Sequence, residues 1–318
     1  MDDVTDTVFR QIVADCAPPD LFFTEFVNVD GLQSPGRSKL LKKLLFTPKD
    51  TPLVAQLWGL KPENFRKTAS EIADGSLARE LGLPKGINFV GIDLNMGCPA
   101  KGEVQNGACS ALMLNKPLAG EIIQATLDGA GDMPVSVKTR LGFHQIDPSW
   151  HEFLLGFKLN MLTIHGRTKK EMSKVPAHWD EIGNVRELRD KLAPEILIVG
   201  NGDVESRAEG IRLAEQYGLD GIMIGRGIFH DPFIFWEVGP PKEEASPWAT
   251  YTKKQRIELY TKHVKLFAKT WQAGERPVYT LNKFCKIYIN GFDGAKELRE
   301  QFMAAQNTDE LLELMKNS

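Results

Sequence analysis

The chain has 318 residues, 42% hydrophobic and 25% charged, with a formal net charge of −3. This ordinary globular composition is too long for one small domain and suits a barrel-sized domain of about 250 residues plus an appendage. The charge rules out a global pull toward nucleic acid, so any RNA contact must come from a local basic patch.

Four cysteines (Cys16, Cys98, Cys109, Cys285) lie scattered with no C-x-x-C pair, which argues against a zinc site or a disulfide framework and for a reducing cytosol. No signal peptide and no bilayer-spanning apolar run is present, so a cytoplasmic protein without a membrane partner or a metal is expected, as a monomer.

In chain order, a helix starts near Thr5 or Asp6 with Val8, Phe9 and Ile12 on its buried face. Strands are expected at 21–27, 52–59, 89–94, 134–140, 161–167, 196–200 and 221–225. Helices are expected at 62–73, 117–129, 150–157, 184–192 and 206–217. Strands alternating with helices imply stacked β-α units around a parallel sheet. The count is seven strands, and the absent one should be the first, ahead of Met1. A barrel without it would have two open edges, and so lower stability or another segment in the gap. From about residue 236 the character changes: a Pro- and Glu-rich linker at 238–247 precedes helical segments at 251–270, 277–289, 293–305 and 308–315. The expected organisation is therefore a TIM-barrel domain over 1–237 and an all-helical domain over 248–318.

The barrel is organised around Gly91–Lys101, G-I-D-L-N-M-G-C-P-A-K, a short β-prone run that breaks into a Gly-Cys-Pro turn. Cys98 stands where a parallel strand runs out into a loop, the face at which barrels do chemistry. Its thiol could be a nucleophile, a metal ligand or a proton donor, or simply a small buried group. The other strands also end in polar residues: Gln56, Asn95, Lys138 and Arg140, His165 and Arg167, Asn201, and Arg226. A barrel would gather these into one pocket, whereas a doubly wound sheet would spread them along a line. Lys138, inside an apolar strand, needs an anion or an electron-rich ligand, forms a Schiff base, or pairs with Glu25 in the core. Asn201-Gly202-Asp203 and Gly225-Arg226-Gly227 follow the last two strands, where barrels commonly hold a phosphate; the alternative is two ordinary glycine turns. In the tail, Arg276, Lys283 and Lys286 with Tyr279 and Tyr288 suit contact with a phosphate backbone, or form a solvated helix face.

With these residues in view, the chain resembles the tRNA-dihydrouridine synthases over nearly its whole length. The segments that carry the likeness include M-D-D-V-T-D-T-V-F-R, V-A-Q-L-W-G, D-L-N-M-G-C-P-A-K, V-S-V-K-T-R-L-G, I-H-G-R-T, G-N-G-D-V and I-G-R-G. The resemblance implies a TIM barrel carrying FMN, a helical tRNA-binding domain and NADPH as reductant. The product is dihydrouridine, made with hydride from flavin N5 to C6 of the uracil ring and a proton from Cys98 to C5. Position by position it implies that Met1, Gln56, Lys138 and His165 contact the flavin ring. Asn201, Gly202, Gly225 and Arg226 would hold its phosphate, Asn95 and Arg140 would face the target base, and Lys283 and Lys286 would meet tRNA. A proton donor must be a neutral thiol, so Cys98 is expected without a strongly depressed pKa. The family opens with an apolar strand ending A-P-M, and Met1 stands at that methionine, in agreement with the missing strand. Competing readings are an FMN enzyme of the dihydroorotate or dihydropyrimidine dehydrogenase type acting on a free pyrimidine, an RNA-binding homologue impaired in catalysis, and a Schiff-base aldolase using Lys138.

Overall fold

The computed structural model describes residues 1–237 and 246–318, so residues 238–245 of the expected linker lie outside the described residues. Two compact units are formed. The first takes Met1–Asp6, Asp20–Val204 and Ala208–Gly225; the second takes Thr7–Pro19, Glu205–Arg207 and Arg226–Ser318.

The first unit is built on strands β1 (Phe22–Phe23), β2 (Val27–Asn28), β3 (Leu53–Trp58), β4 (Gly91–Asn95), β5 (Val135–Arg140), β6 (Met161–His165), β7 (Leu197–Asn201) and β8 (Gly221–Met223). Every pairing is parallel, and the order is β1-β3-β4-β5-β6-β7-β8 with β2 also on β3. This is the curled, partly closed barrel sheet of the expected class, with β1–β2 and β8 as its outer strands among the described residues.

The single strand expected at 21–27 is divided, and the register shows why. Phe23 pairs with Val54 and Val27 with Leu57, so three residues, Thr24 to Phe26, face only Ala55 and Gln56. That extra residue is a bulge, and it falls beside Gln56. The Thr24 hydroxyl takes the place of a ladder carbonyl, accepting from the Gln56 amide at 2.9 Å. Other boundaries also move. Val90 is 43% exposed and precedes β4 rather than joining it. β6 stops at His165, and β8 at Met223.

α1 (Thr7–Cys16), which belongs to the second unit, precedes β1; between the strands run α2 (Pro62–Ala73), α3 (Lys116–Ala130), α4 (Pro148–Leu155), α5 (Trp179–Leu192) and α6 (Arg207–Tyr217). α4 begins earlier than expected because Asp147 caps it by accepting from the Ser149 amide, with Pro148 in its first turn. α5 begins well before 184, with Asp180 and Glu181 in its first turn, where carboxylates complement the helix dipole. In β3 to β7 alternate positions form an apolar face: Ala55, Leu57, Ile92, Leu94, Val137, Leu162, Ile164 and Ile198 are all at most 1% exposed. Such a face requires helices over it.

The second unit contains α7 (Lys253–Thr270), α8 (Asn282–Tyr288), α9 (Ala295–Ala304) and α10 (Thr308–Lys316). Thr252 and Gln255 form a reciprocal capping box at the start of α7, and Asn307 caps α10 by accepting from the Glu310 amide. α1 and residues 226–237 group with these helices because Phe9 is seated among their rings: its centroid lies 4.8 Å from Phe284, 5.9 Å from His263 and 6.5 Å from Phe229. Phe9→Ala is therefore expected to cost roughly 3–5 kcal/mol, read from the urea midpoint, and a loss below about 1 kcal/mol would contradict this packing.

Candidate active site

Residues paired across neighbouring strands point to the same side of a sheet, and residues two apart on one strand share that side. Gln56 pairs with Asp93, and Asp93 with Ser136. Two residues further along, Asn95 pairs with Lys138, Lys138 with Thr163 and Thr163 with Val199. At the strand ends, Arg140 pairs with His165, His165 with Asn201 and Asn201 with Met223. One polar face, opposite the apolar one, thus carries Gln56, Asn95, Lys138, Arg140, His165 and Asn201 together. It also carries Asp93, Ser136 and Thr163, which the reading of strand ends missed. The signal was the period of two in D-L-N and S-V-K-T-R.

Cys98 lies half-buried in the turn after β4. The Asn95 side-chain oxygen accepts from the amides of Gly97 (3.1 Å) and Cys98 (2.9 Å), closing an Asx turn. A Cβ on Gly97 would sit 3.1 Å from the backbone carbon of Thr139, so any side chain here would press the turn away from β5 by a few tenths of an ångström. Arg140 fastens the same turn: its Nε donates to the Gly97 carbonyl at 2.8 Å, and its Nη1 to the carbonyls of Thr168 and Met172. Asn95 and Arg140, expected to face a base, have these bonds in the turn itself.

The Cys98 and Cys109 thiols share their protons unevenly. Cys98, the more exposed, is drawn down to about 7, chiefly because the Cys109 S–H donates to its sulfur, with help from the Ala100 amide and Arg140. Cys109 is pushed far up by the same bond and by burial. This corrects the expectation of a thiol without a strongly depressed pKa. The partner that stabilises the thiolate is eleven residues along the chain, brought in where the Ser110 amide donates to the Cys98 carbonyl at 3.3 Å.

The Lys138 ammonium has no hydrogen bond and no carboxylate within ion-pair distance among the described residues, so the core pair with Glu25 is not formed. Burial pulls Lys138 down to about 8, and neighbouring Arg140 adds to this, while Asp93 and Cys98 oppose it. Asp93 is fully buried, accepting from Gln56 Nε2 at 2.7 Å and from Ser136 Oγ at 2.6 Å. Burial raises it to about 6, against the two hydrogen bonds and Lys138, which lower it.

At the end of β6, the Arg167 Nη1 lies 3.2 Å from His165 Nε2. A guanidinium only donates, so Nε2 accepts and the ring proton sits on Nδ1. Arg167 is 3% exposed, paired with Asp203 and bonded to the Val175 carbonyl, so it orients His165 rather than lining the face. Asn201 donates to the Met223 carbonyl at 2.7 Å, tying β7 to β8. Gly202 has φ +139°, and a Cβ there would come within 2.7 Å of the Ala177 side chain, so the buried backbone at this position requires glycine. Gly225 and Met1 are half-buried members of the same unit. Arg226 follows Gly225 directly and belongs to the second unit, as do Lys283 and Lys286.

In the second unit Lys283 and Lys286 are exposed on α8, and Tyr279 is 70% exposed just before it. Tyr288, expected to join that surface, is instead core: it stacks on Tyr260 at 5.0 Å and its hydroxyl lies 2.9 Å from His263 Nδ1. Arg276 lies over the Trp271 ring at 4.6 Å.

A parallel α/β barrel sheet with a polar inner face, an unpaired ammonium and a thiol at its strand ends defines an enzyme of the barrel class. The chain belongs to the dihydrouridine synthase (Dus) family, whose pattern it matches over residues 1–318. It is 44% identical over 318 residues to a probable tRNA-dihydrouridine synthase of Staphylococcus aureus (strain COL), spanning 99% of this chain and 90% of that one. It is 45% identical over 319 residues to probable tRNA-dihydrouridine synthase 2 of Bacillus subtilis (strain 168), spanning 99% and 91%. Among solved structures, the fold is similar to histamine dehydrogenase from Rhizobium sp. 4-9, with TM-score 0.51 at 14% identity over 83% of this chain and 47% of that one. Among the described residues no helix is long and apolar enough to cross a membrane.

The thiol pair gives a direct test. Alkylation of Cys98 by iodoacetamide should rise with pH around a midpoint near 7, and Cys109→Ala should move that midpoint upward by removing the S–H donor. An unchanged midpoint in Cys109→Ala would show that the donor is something else.

Proposed function

We propose that the chain reduces the C5–C6 double bond of a uridine in tRNA, using FMN held over the polar face of the sheet and NADPH as the source of electrons. The observation that carries this reading is Lys138. It is a half-buried ammonium with no partner among the described residues, set where an electron-rich ring edge would supply one. One further feature supports the fit: the Thr163 hydroxyl, across from Lys138 on β6, is buried without a hydrogen-bond partner.

Bound there, FMN would supply the hydride for C6 of the uracil ring. Gln56, Lys138 and His165 would hold the flavin ring, with Met1 at its edge, His165 donating through Nδ1. Lys138 would balance negative charge on the ring edge it faces. Asn201, Gly202 and Gly225 would take the phosphate; Arg226, next in the chain, is assigned to it by the family resemblance alone. Cys98 would give its S–H proton to C5, and Asn95 and Arg140 would act on the base through the turn they hold. The uridine must leave the RNA stack to reach this face. Taken by itself, the second unit, which includes the helical domain expected over 248–318, offers Lys283, Lys286 and Tyr279 to a phosphate backbone and an unstacked base.

The test is mass analysis of nucleosides from a uridine-containing tRNA transcript incubated with the chain, FMN and NADPH. One nucleoside heavier by two hydrogens is expected. Reduction of free uracil in place of tRNA would mark a small-pyrimidine enzyme, and tRNA bound but unreduced would mark a binding protein. Cys98→Ala should slow single-turnover reduction on the order of 10²- to 10⁴-fold, and an unchanged rate would remove the thiol from the reaction. Because the donor is the protonated thiol, the native single-turnover rate should fall as pH rises through about 7. A rate that climbs through that range would require the thiolate instead.

A further inference from the structure

The geometry points to Asp93 as a positioning residue: a buried carboxylate that fixes Gln56 with its carbonyl oxygen, not its amino group, toward the flavin site. This rests on the flavin reading above and adds a residue to it.

A carboxylate in the middle of a strand is costly to bury, by several kcal/mol if unpaired. A valine or leucine at position 93 would be buried there without that penalty. Asp93 instead stands at the centre of a row across three strands, with Gln56 opposite on β3 and Ser136 opposite on β5. Both neighbours donate to it, at 2.7 Å and 2.6 Å, and all three residues are at most 6% exposed.

An amide can be read either way round, but an ionised carboxylate accepts only. Its bond to Gln56 must therefore be to Nε2, which turns Oε1 away from Asp93. Among the described residues Oε1 makes no hydrogen bond. The polar face thus presents an acceptor at Gln56 on β3 and a cation at Lys138 on β5, two residues further along. An N–H edge of a planar ring meets the first, and an electron-rich edge the second. A protonated Asp93 could donate to the amide oxygen, and the amide would then be free to turn its NH₂ outward.

The electrostatics agree. Lys138 is the charged group that acts on Asp93; Arg140, Asp93 and Cys98 act on Lys138. Asp93 favours the charged lysine, against burial and Arg140. Ser136 and Gln56 favour the ionised carboxylate, against burial. Removing the Asp93 charge should therefore let Lys138 lose its proton at lower pH, and removing the Ser136 donor should hold Asp93 protonated to higher pH.

The experiment titrates the flavin-free full-length chain with FMN, following quenching of flavin fluorescence across pH. Asp93→Asn is expected to weaken binding on the order of tenfold near neutral pH and to shift the alkaline loss of affinity to lower pH. In a Gln56→Ala background the same substitution should weaken binding much less, because the amide it orients is gone; a purely structural role would add in full. Ser136→Ala should bind FMN like the native chain at about pH 7.5 and more weakly at about pH 6. Asp93→Asn within about twofold of native affinity with an unmoved alkaline limb, or a loss that adds in full to that of Gln56→Ala, would overturn the assignment. If Asp93→Asn does not fold, Ser136→Ala decides alone: a profile that superimposes on the native one overturns it. A native chain that leaves FMN fluorescence unchanged at every pH would instead refute the flavin reading, and this inference with it.

Discussion

An ammonium group taken out of water must find a negative charge, shed its proton or meet a ligand. Lys138 has been given no carboxylate within reach among the described residues, and the charge closest in its own strand, Arg140, is of the same sign. Much of the first unit can be understood as the scaffold that holds it there. β5 is buried between β4 and β6, so Lys138 cannot swing clear, and its neighbours across the sheet are Asn95 and Thr163 rather than acids. The field that keeps it charged comes from Asp93, one level down on β4 and itself locked by Gln56 and Ser136.

The thiol is held by a separate set of contacts that meets the first at β5. Asn95 closes the turn from inside, Arg140 clamps the Gly97 carbonyl, and the Met96 amide donates to the Lys138 carbonyl at 2.8 Å. The backbone of the residue that carries the cation is therefore bonded to the loop that carries the sulfur. This bond fixes the turn that carries Cys98 against the strand that carries Lys138. Cys109 makes Cys98 a stronger acid than a free thiol, which suits the proton-donor role proposed for it.

The alternation of strands and helices was legible because a buried parallel strand is short, apolar and bounded by turn residues. Strand ends such as Lys138, His165 and Asn201 stood out against that background. Three things were not legible. The bulge at Thr24–Phe26 depends on register between strands, which the linear pattern does not carry. Tyr288 looked like a surface aromatic beside lysines, yet the helical period of α8 turns it inward onto Tyr260. The acidity of Cys98 comes from a residue beyond the turn, so the motif alone implied an ordinary thiol. Asp93 lay in plain view within D-L-N; the period of two placed it beside Asn95, and only its burial against Gln56 and Ser136 shows what it holds.

The claim on which the account depends is that the unpaired ammonium of Lys138 is completed by an electron-rich ring. The direct measurement is the affinity of the flavin-free chain for FMN compared with that of Lys138→Met, which keeps the length of the side chain and removes its charge. The account predicts one FMN bound per native chain and a loss on the order of tenfold or more in the variant. Equal FMN affinity in the two proteins would contradict it.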